Sequence, residues 1–329
     1  MEKILVTGAS GFLGGHLTRK LADEGYNVFA MVRKTSDTSR LEGIDKRYAD
    51  LLDYESLKEA TKGVDIVIHL GAYYTFYGKK ELYQKINVEG TKNLLEAVLK
   101  NGVKRFIYCS TTEVIGPVKN PPADESTPPN PEYEYGKSKL KAEQLVRSYA
   151  SKGIEFTILR PSGIYGPYNV DDVSYWFITS FAKNSLATKF IVSSGENLIQ
   201  FVHVSDVVNG FLLAIEKQNS VNQTYIISED KAYTYNQVYR ILAEILGREA
   251  PKFHIPVFMA KAMIFPVELA NRILGRENFM WHVKTVDSIT KDRAYSIEKA
   301  KRERGYRPKY DLKTGLKETV DWYRENGFI

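Results

Sequence analysis

Ile4-Leu5-Val6-Thr7-Gly8-Ala9-Ser10-Gly11-Phe12-Leu13-Gly14 decides how the rest of the chain is read. Residues 4–7 form a short apolar run that a glycine-rich turn ends. From 12 to 24 the apolar residues fall at Phe12, Leu13, Leu17 and Leu21, close to helical spacing. The pattern predicts a strand, a turn and a helix. Glycines at the end of a strand let the backbone come close to a pyrophosphate, and the free amides of the helix start favour its charge. Gly8, Ser10, Gly11, Phe12, Leu13 and Gly14 are therefore the candidate bed of a dinucleotide.

Outward from this turn, 28–32 and 65–70 read as further strands, with a helix-like stretch 54–61 between them. A helix over 87–100, a strand over 105–110, a helix over 135–151 and a strand over 156–160 continue the alternation. Such a rhythm predicts an α/β fold: a Rossmann-like, doubly wound parallel sheet with helices on both faces. Past Arg160, a loop marked by Pro161, Gly163, Gly166 and Pro167 breaks it, and a smaller C-terminal substrate domain is expected to begin there. Residues 201–204 and a helix over 205–217 are expected to return to the sheet. The expected division is 1–160 with about 198–228 for the dinucleotide, and 161–197 with 229–329 for the substrate. A surface helix over 310–323 would close the second part.

A chain of 329 residues with 43% hydrophobic content can bury a sizeable core. The net charge of +6 favours anionic partners, but basic and acidic residues are interleaved throughout and a phosphorylated cofactor accounts for the excess. Without zinc-finger spacing, a recognition-helix motif or a long basic run, nucleic acid is not an expected partner. The single Cys109 excludes an internal disulfide and fits a reducing compartment, so the cytoplasm is the expected location. The first apolar run is too short for a signal peptide or a membrane span. His69, His203, His254 and His282 are too scattered for a metal site, and none is expected.

An NAD site usually ends its second strand with an acid that bonds the ribose hydroxyls. Arg33 and Lys34 stand there instead. A guanidinium suits the 2′-phosphate of NADP, which is the expected cofactor, with NAD as the alternative. A solvated Arg-Lys pair is the plainer reading. Asp50, before Leu51, is a candidate acceptor for the adenine amine or a helix cap.

Tyr135-Gly136-Lys137-Ser138-Lys139 puts a phenol and an ammonium on one helical face. A tyrosine is a poor base at neutral pH, but an adjacent lysine stabilises its phenolate. Tyr135 can then exchange a proton with a substrate hydroxyl. Ser110-Thr111-Thr112 adds hydroxyls at a strand end, where α/β sheets bind ligands.

With these residues the chain resembles the extended short-chain dehydrogenases/reductases. The resemblance runs through the glycine turn, His69-Leu70-Gly71-Ala72, Asn87-Val88-Glu89-Gly90-Thr91, Thr111 with Tyr135 and Lys139, Arg160-Pro161, and Phe201-Val202-His203-Val204-Ser205-Asp206. It implies that Thr111 hydrogen-bonds the reacting oxygen, that Tyr135 is the acid/base, and that Lys139 also holds the nicotinamide ribose. Leu70, Gly71 and Ala72 would lie along the cofactor, and Pro161 to Gly163 beside the nicotinamide. It further implies a homodimer through helices 87–100 and 135–151.

Family members acting on nucleotide sugars usually carry an Arg just before the Phe-Val-His-Val segment and an Asn soon after Arg-Pro. Here Ile199-Gln200 and Ser162-Gly163-Ile164 stand instead. Tyr73-Tyr74-Thr75-Phe76-Tyr77 offers an aromatic wall, and 255–274 is rich in apolar residues, interrupted by Pro256 and Pro266. With Arg293-Ala294-Tyr295-Ser296 these features resemble the branch of 3β-hydroxysteroid dehydrogenases and dihydroflavonol reductases. An alcohol–ketone oxidoreductase for a ring-containing, apolar small molecule is therefore expected, with Tyr73, Tyr74, Glu113 and Tyr165 as candidate substrate contacts. Glu113 also resembles the second acid or base of sugar-nucleotide dehydratases, so an epimerase, dehydratase or decarboxylase with tightly bound NAD is the first alternative. A non-catalytic regulator is the second. Residues 257–274, flanked by Lys252, Lys261, Arg272 and Arg276, also admit contact with a membrane surface.

Overall fold

The computed structural model describes residues 2–75, 78–216, 220–275 and 281–329. Phe76 and Tyr77 of the aromatic run, Lys217 of an expected helix, and Arg276 lie outside these residues.

Strand β1 (Lys3–Thr7) leads into α1 (Phe12–Asp23), β2 (Asn27–Val32), β3 (Asp45–Tyr48), α2 (Tyr54–Ala60) and β4 (Ile66–His69). A helical stretch follows in three parts: α3 (Lys80–Leu82), a π-helical segment Tyr83–Glu89, and α4 (Gly90–Lys100). Next come β5 (Arg105–Cys109), α5 (Glu134–Ser148), β6 (Glu155–Pro161), β7 (Gly163–Tyr165) and α6 (Val173–Ala182). Three short strands, β8 (Phe190–Val192), β9 (Leu198–Ile199) and β10 (Phe201–His203), precede α7 (Val204–Glu216). The remainder holds β11 (Gln223–Ile227), β12 (Tyr233–Thr234), α8 (Tyr235–Leu246), β13 (Phe253–Ile255) and α9 (Val257–Ile273). Helices α10 (Val283–Ile289), α11 (Glu298–Arg304) and α12 (Leu312–Glu325) end the chain.

Seven strands pair in the order β11-β6-β5-β4-β1-β2-β3, all parallel. Their near-continuous apolar runs follow from burial on both faces. Ile4 and Val6 pack into one core with Leu17 and Leu21 of α1, whereas Leu5 enters the other with Leu57 and Leu94. The chain turns from β1 toward β2 on one side, and β4 pairs on the other. At such a switch point the strand ends leave a crevice in which ligands bind.

Two expectations are corrected. Residues 201–204 do not rejoin the main sheet: β10 pairs with β7, with Phe201 opposite Gly163. The returning strand is β11, whose Gln223–Ile227 runs beside Thr157–Pro161 of β6. The helix expected over 87–100 starts earlier, because the π-helical segment carries it back to Lys80. Strand β3 was not foreseen. Its Asp45-Lys46-Arg47-Tyr48 lacks apolar alternation because it lies at the sheet edge, where charge discourages further pairing.

A third core joins Tyr165, Ile178, Phe181, Leu242, Leu316 and Val320. Helix α12 presents Leu312, Leu316, Val320 and Tyr323 to it at helical spacing, as the reading of 310–323 anticipates. Tyr295, Ile297, Ala300 and Tyr306 instead pack into the first core.

Candidate active site

Gly8 has φ of +67°, and a Cβ there would lie 2.8 Å from the Gly71 amide nitrogen. Only glycine fits this crossing of the turn and the segment after β4. Gly14 is needed for another reason: a Cβ would overlap the Gly8 carbonyl oxygen and sit 2.8 Å from Ala9 Cα. The glycines thus bring helix start, turn and β4 together around a cavity of about 410 Å³.

Gly8, Ser10 and Gly11 form one wall of it, and Leu70, Gly71, Ala72 and Tyr73 another. Arg33, Asp50 and Leu51 also line it. Arg33 is exposed and makes no ion pair among the described residues. Lys34 is exposed but does not line the cavity, nor do Phe12, Leu13, Gly14, Pro161 and Gly163. Asp50 is not a helix cap: its carboxylate accepts the Leu52 amide at 2.8 Å, and Asp53 caps α2.

A hydrogen-bonded chain fixes the Gly71 backbone. Thr91 donates to the Asn87 carbonyl at 2.7 Å, so its oxygen accepts from His69 Nε2 at 3.0 Å. His69 Nδ1 then accepts from the Thr7 hydroxyl at 2.7 Å, and Thr7 Oγ1 accepts the Gly71 amide at 3.1 Å. This order requires neutral His69. Burial, with the Lys139 charge adding to it, holds the imidazole down to about 3 from its ordinary 6.5. Between those values the unfolded chain binds a proton that the folded chain does not. The stabilisation is complete above pH 6.5 and is lost on acidification by about 1.4 kcal/mol per pH unit. Denaturant titrations should show stability falling from pH 6.5 to 5, with a flatter slope in His69→Gln. Equal slopes would remove His69 as the source.

Tyr135 and Lys139 lie on α5, which meets the Thr111 segment closely. A Cβ at Gly136 would come within 2.6 Å of the Glu113 carbonyl oxygen, so the glycine after the tyrosine permits the approach. Thr111 Oγ1 accepts the Glu113 amide at 3.2 Å, leaving its hydroxyl proton to donate. Lys139, buried, donates to the Cys109 carbonyl at 2.6 Å and lies 4.2 Å from the Tyr108 ring centre. Burial lowers its ammonium to about 8, and burial pushes the Tyr135 phenol well above 10. Asn87, placed by the π-helical turn, donates to Ser138 Oγ at 2.9 Å and exchanges bonds with the Tyr73 backbone. It ties α5 to the cavity wall that Tyr73 lines. Gly136 and the bracing by Asn87 went unrecognised in the sequence, although both lie inside the motifs quoted from it.

Tyr74 packs edge-on against the Tyr135 ring, 4.9 Å between centres, and donates to Asp172 Oδ1 at 2.9 Å. Burial raises the Asp172 carboxyl to about 6, against the lowering effect of the Tyr74 bond. Tyr73 contacts the Tyr83 ring. Glu113 is held in an ion pair: its Oε1 meets Arg293 at 2.7 Å, and Arg293 also reaches Glu132 at 3.4 Å. Tyr165 is buried, with its hydroxyl directed to the Asp311 carbonyl at 3.5 Å.

One face of Tyr165 lines a second cavity of about 320 Å³. Phe177, Ile191, Val238, Ile264 and Val286 contribute to its wall, which carries no charged side chain among the described residues. Its Val173-Ser174 end adjoins Asp172, and through Tyr74 the Tyr135 ring. Gln200 and Ser162, at the positions where nucleotide-sugar enzymes differ, are spent on internal bonds. Gln200 joins the Glu229 carbonyl and the Tyr295 amide, and Ser162 meets Ser228 at 2.6 Å.

A family model, the NAD dependent epimerase/dehydratase family, matches residues 4–228. The chain is 30% identical to short-chain dehydrogenase/reductase family 42E member 1 of Danio rerio, covering 99% of this chain and 89% of that protein. It is also 30% identical to the decarboxylating sterol-4-alpha-carboxylate 3-dehydrogenase of Mus musculus, covering 97% and 90%. Among solved structures, the dTDP-glucose 4,6-dehydratase DesIV of Streptomyces venezuelae, with NAD bound, aligns at a TM-score of 0.79 and 25% identity over 98% of this chain and 97% of that one. The chain belongs to the NAD dependent epimerase/dehydratase family, in its extended short-chain dehydrogenase/reductase branch, and is a nicotinamide-dependent oxidoreductase.

Proposed function

We infer that the protein interconverts a secondary alcohol and a ketone on a ring-containing, apolar small molecule, with NADP(H) preferred. The uncharged wall of the 320 Å³ cavity carries this reading. A nucleotide diphosphate there would lose its hydration without gaining a cation, whereas an apolar ring system would be favoured. The sterol dehydrogenase relative is in keeping with it.

The residues present fit a dinucleotide: Gly8 and Gly14 hold the turn against backbone where no side chain fits, which leaves its amides open to a ligand, and the buried Ser110 hydroxyl beside Thr111 has no hydrogen-bond partner among the described residues. Gly8, Ser10 and Gly11 would hold the pyrophosphate and Arg33 the 2′-phosphate, with Gly71 and Ala72 alongside. The nicotinamide supplies or accepts the hydride when bound. Thr111 orients the substrate oxygen with its free O–H. Tyr135, a protonated phenol at neutral pH, gives its proton to that oxygen during reduction and takes it back during oxidation. Lys139, charged below about 8, stabilises the phenolate left behind.

Calorimetric titration with NADP and NAD, followed by turnover assays with apolar cyclic ketones and UDP-sugars, tests the reading. Ketone-dependent NADPH oxidation is expected. Tight NAD retention with a UDP-sugar response would overturn it in favour of an epimerase or dehydratase. Arg33→Glu should weaken NADP binding about 10- to 100-fold, the worth of a charge-assisted phosphate contact, and leave NAD affinity within a few-fold. An unchanged NADP affinity would return Arg33 to the solvated surface.

A further inference from the structure

Helix α9 is apolar on two sides at once. Its inner residues, among them Ala260, Ile264 and Val267, line the 320 Å³ cavity. Its outer side exposes Phe258 (71%), Met263, Phe265 (58%), Leu269, Ile273 (76%) and, just beyond, Leu274. Arg272 is the one exposed charge among its described residues. Lys261 pairs with Asp287 at 2.6 Å, and Glu268 turns to the Val283 amide and His282. A helix this apolar on its solvent side calls for a partner.

Two further observations say which. First, Leu186 and Met263 are both cavity walls and exposed side chains, so the cavity opens at the edge of this face. Second, the rim around that opening is cationic. Exposed Lys183 and Lys189 bracket Leu186. The pairing of Phe190 with Phe253 sets Lys189 beside exposed Lys252, next to exposed Phe253; Lys252 pairs with Glu249 at 2.8 Å, but both side chains are open to solvent and Lys183, Lys189 and Arg272 keep the rim net positive.

We propose that the outer face of α9 docks on an anionic lipid surface, so that the cavity mouth opens toward the lipid. Apolar side chains enter the acyl boundary while Lys183, Lys189, Lys252 and Arg272 meet lipid phosphates. Helix α9 lies in the interface and does not cross it: no helix among the described residues is long and apolar enough to span a membrane. A second copy suits the face less well, because a two-fold interface would set each cationic rim against itself. An apolar substrate would then pass from lipid to cavity without crossing water. Only this delivery rests on the alcohol–ketone reading.

The test is flotation of the full chain, without substrate, on phosphatidylcholine vesicles with and without phosphatidylglycerol. Binding to the anionic vesicles is expected, weakened by high salt. Phe265→Glu with Ile273→Glu should lower it by about tenfold or more with NADP affinity unchanged, and Lys189→Glu with Lys252→Glu should abolish the anionic preference. If the first pair also loses NADP binding through misfolding, the lysine pair decides. The proposal falls if neither vesicle binds, if binding survives both sets of substitutions, or if sedimentation reveals a dimer that Phe265→Glu with Ile273→Glu dissolves while vesicles stay bare. Because cofactor binding and ketone turnover are measured separately, failure of the docking leaves the enzymatic reading untouched.

Discussion

Tyr135→Phe lowers turnover by about 10²- to 10⁴-fold in both directions, the range lost when a positioned proton donor is removed, and leaves cofactor affinity within a few-fold. The substitution deletes one oxygen. Its ring remains held edge-on by Tyr74, and α5 keeps its approach to the Thr111 segment through Gly136. Binding and chemistry therefore separate cleanly. Burial holds the Tyr135 phenol in its protonated form, well above the usual 10, so the ligand-free site is set to donate. Removing a proton from it requires help, and buried Lys139 on the same helical face supplies positive charge below about pH 8. Stopped-flow measurement of NADPH oxidation with a cyclic ketone, beside a cofactor titration, checks the result. Full activity in the Phe variant would transfer the proton to another group, with Tyr74, packed against the Tyr135 ring, and its partner Asp172 as the candidates. Loss of cofactor binding together with activity would assign Tyr135 to positioning rather than chemistry.

The parts of this molecule legible in its sequence are those where local pattern and chemistry coincide. β1, the glycine turn and the start of α1 could be read from the eleven residues Ile4 to Gly14, because at Gly8 and Gly14 a backbone neighbour forbids a side chain. The Tyr135 to Lys139 spacing could be read because it equals a helical turn. Strand β3 could not, because an edge strand buries too little to alternate. Nor could the pairing of β10, which rests on register with β7, about forty residues earlier in the sequence. Glu113 shows the limit at single residues. Its partner Arg293 is 180 positions away and is brought to it by the fold, so no local signal distinguished a catalytic carboxylate from an ion-paired one. The same holds for the cavity. The apolar character of 255–274 was plain, but that one side of α9 lines a pocket and the other meets solvent is a matter of packing.

Gly14→Ala should reduce cofactor affinity by about 10²-fold, the scale of an ångström-sized misplacement at a site, and should lower stability by about 1–3 kcal/mol, the usual cost of overpacking. The added methyl would overlap the Gly8 carbonyl oxygen and press on Ala9 Cα at 2.8 Å. Both neighbours are backbone and cannot swing aside. Relief requires α1 to move from β1, and the turn moves with it. The Gly11 amide donates to the Gly8 carbonyl at 3.0 Å, and the Gly15 amide to the Gly11 carbonyl at 2.8 Å, so displacement of Gly8 reaches the amides that would face the pyrophosphate. Gly25→Ala supplies the comparison. Its φ of +83° makes alanine strained there too, but no atom lies within 4 Å of the added carbon. It should cost about 1 kcal/mol of stability with cofactor affinity unchanged. Equal affinity losses in the two variants would mean that Gly14 acts through global stability alone. A loss confined to Gly14→Ala would mean that the close crossing of helix and turn, rather than the richness in glycine, makes this stretch a dinucleotide site.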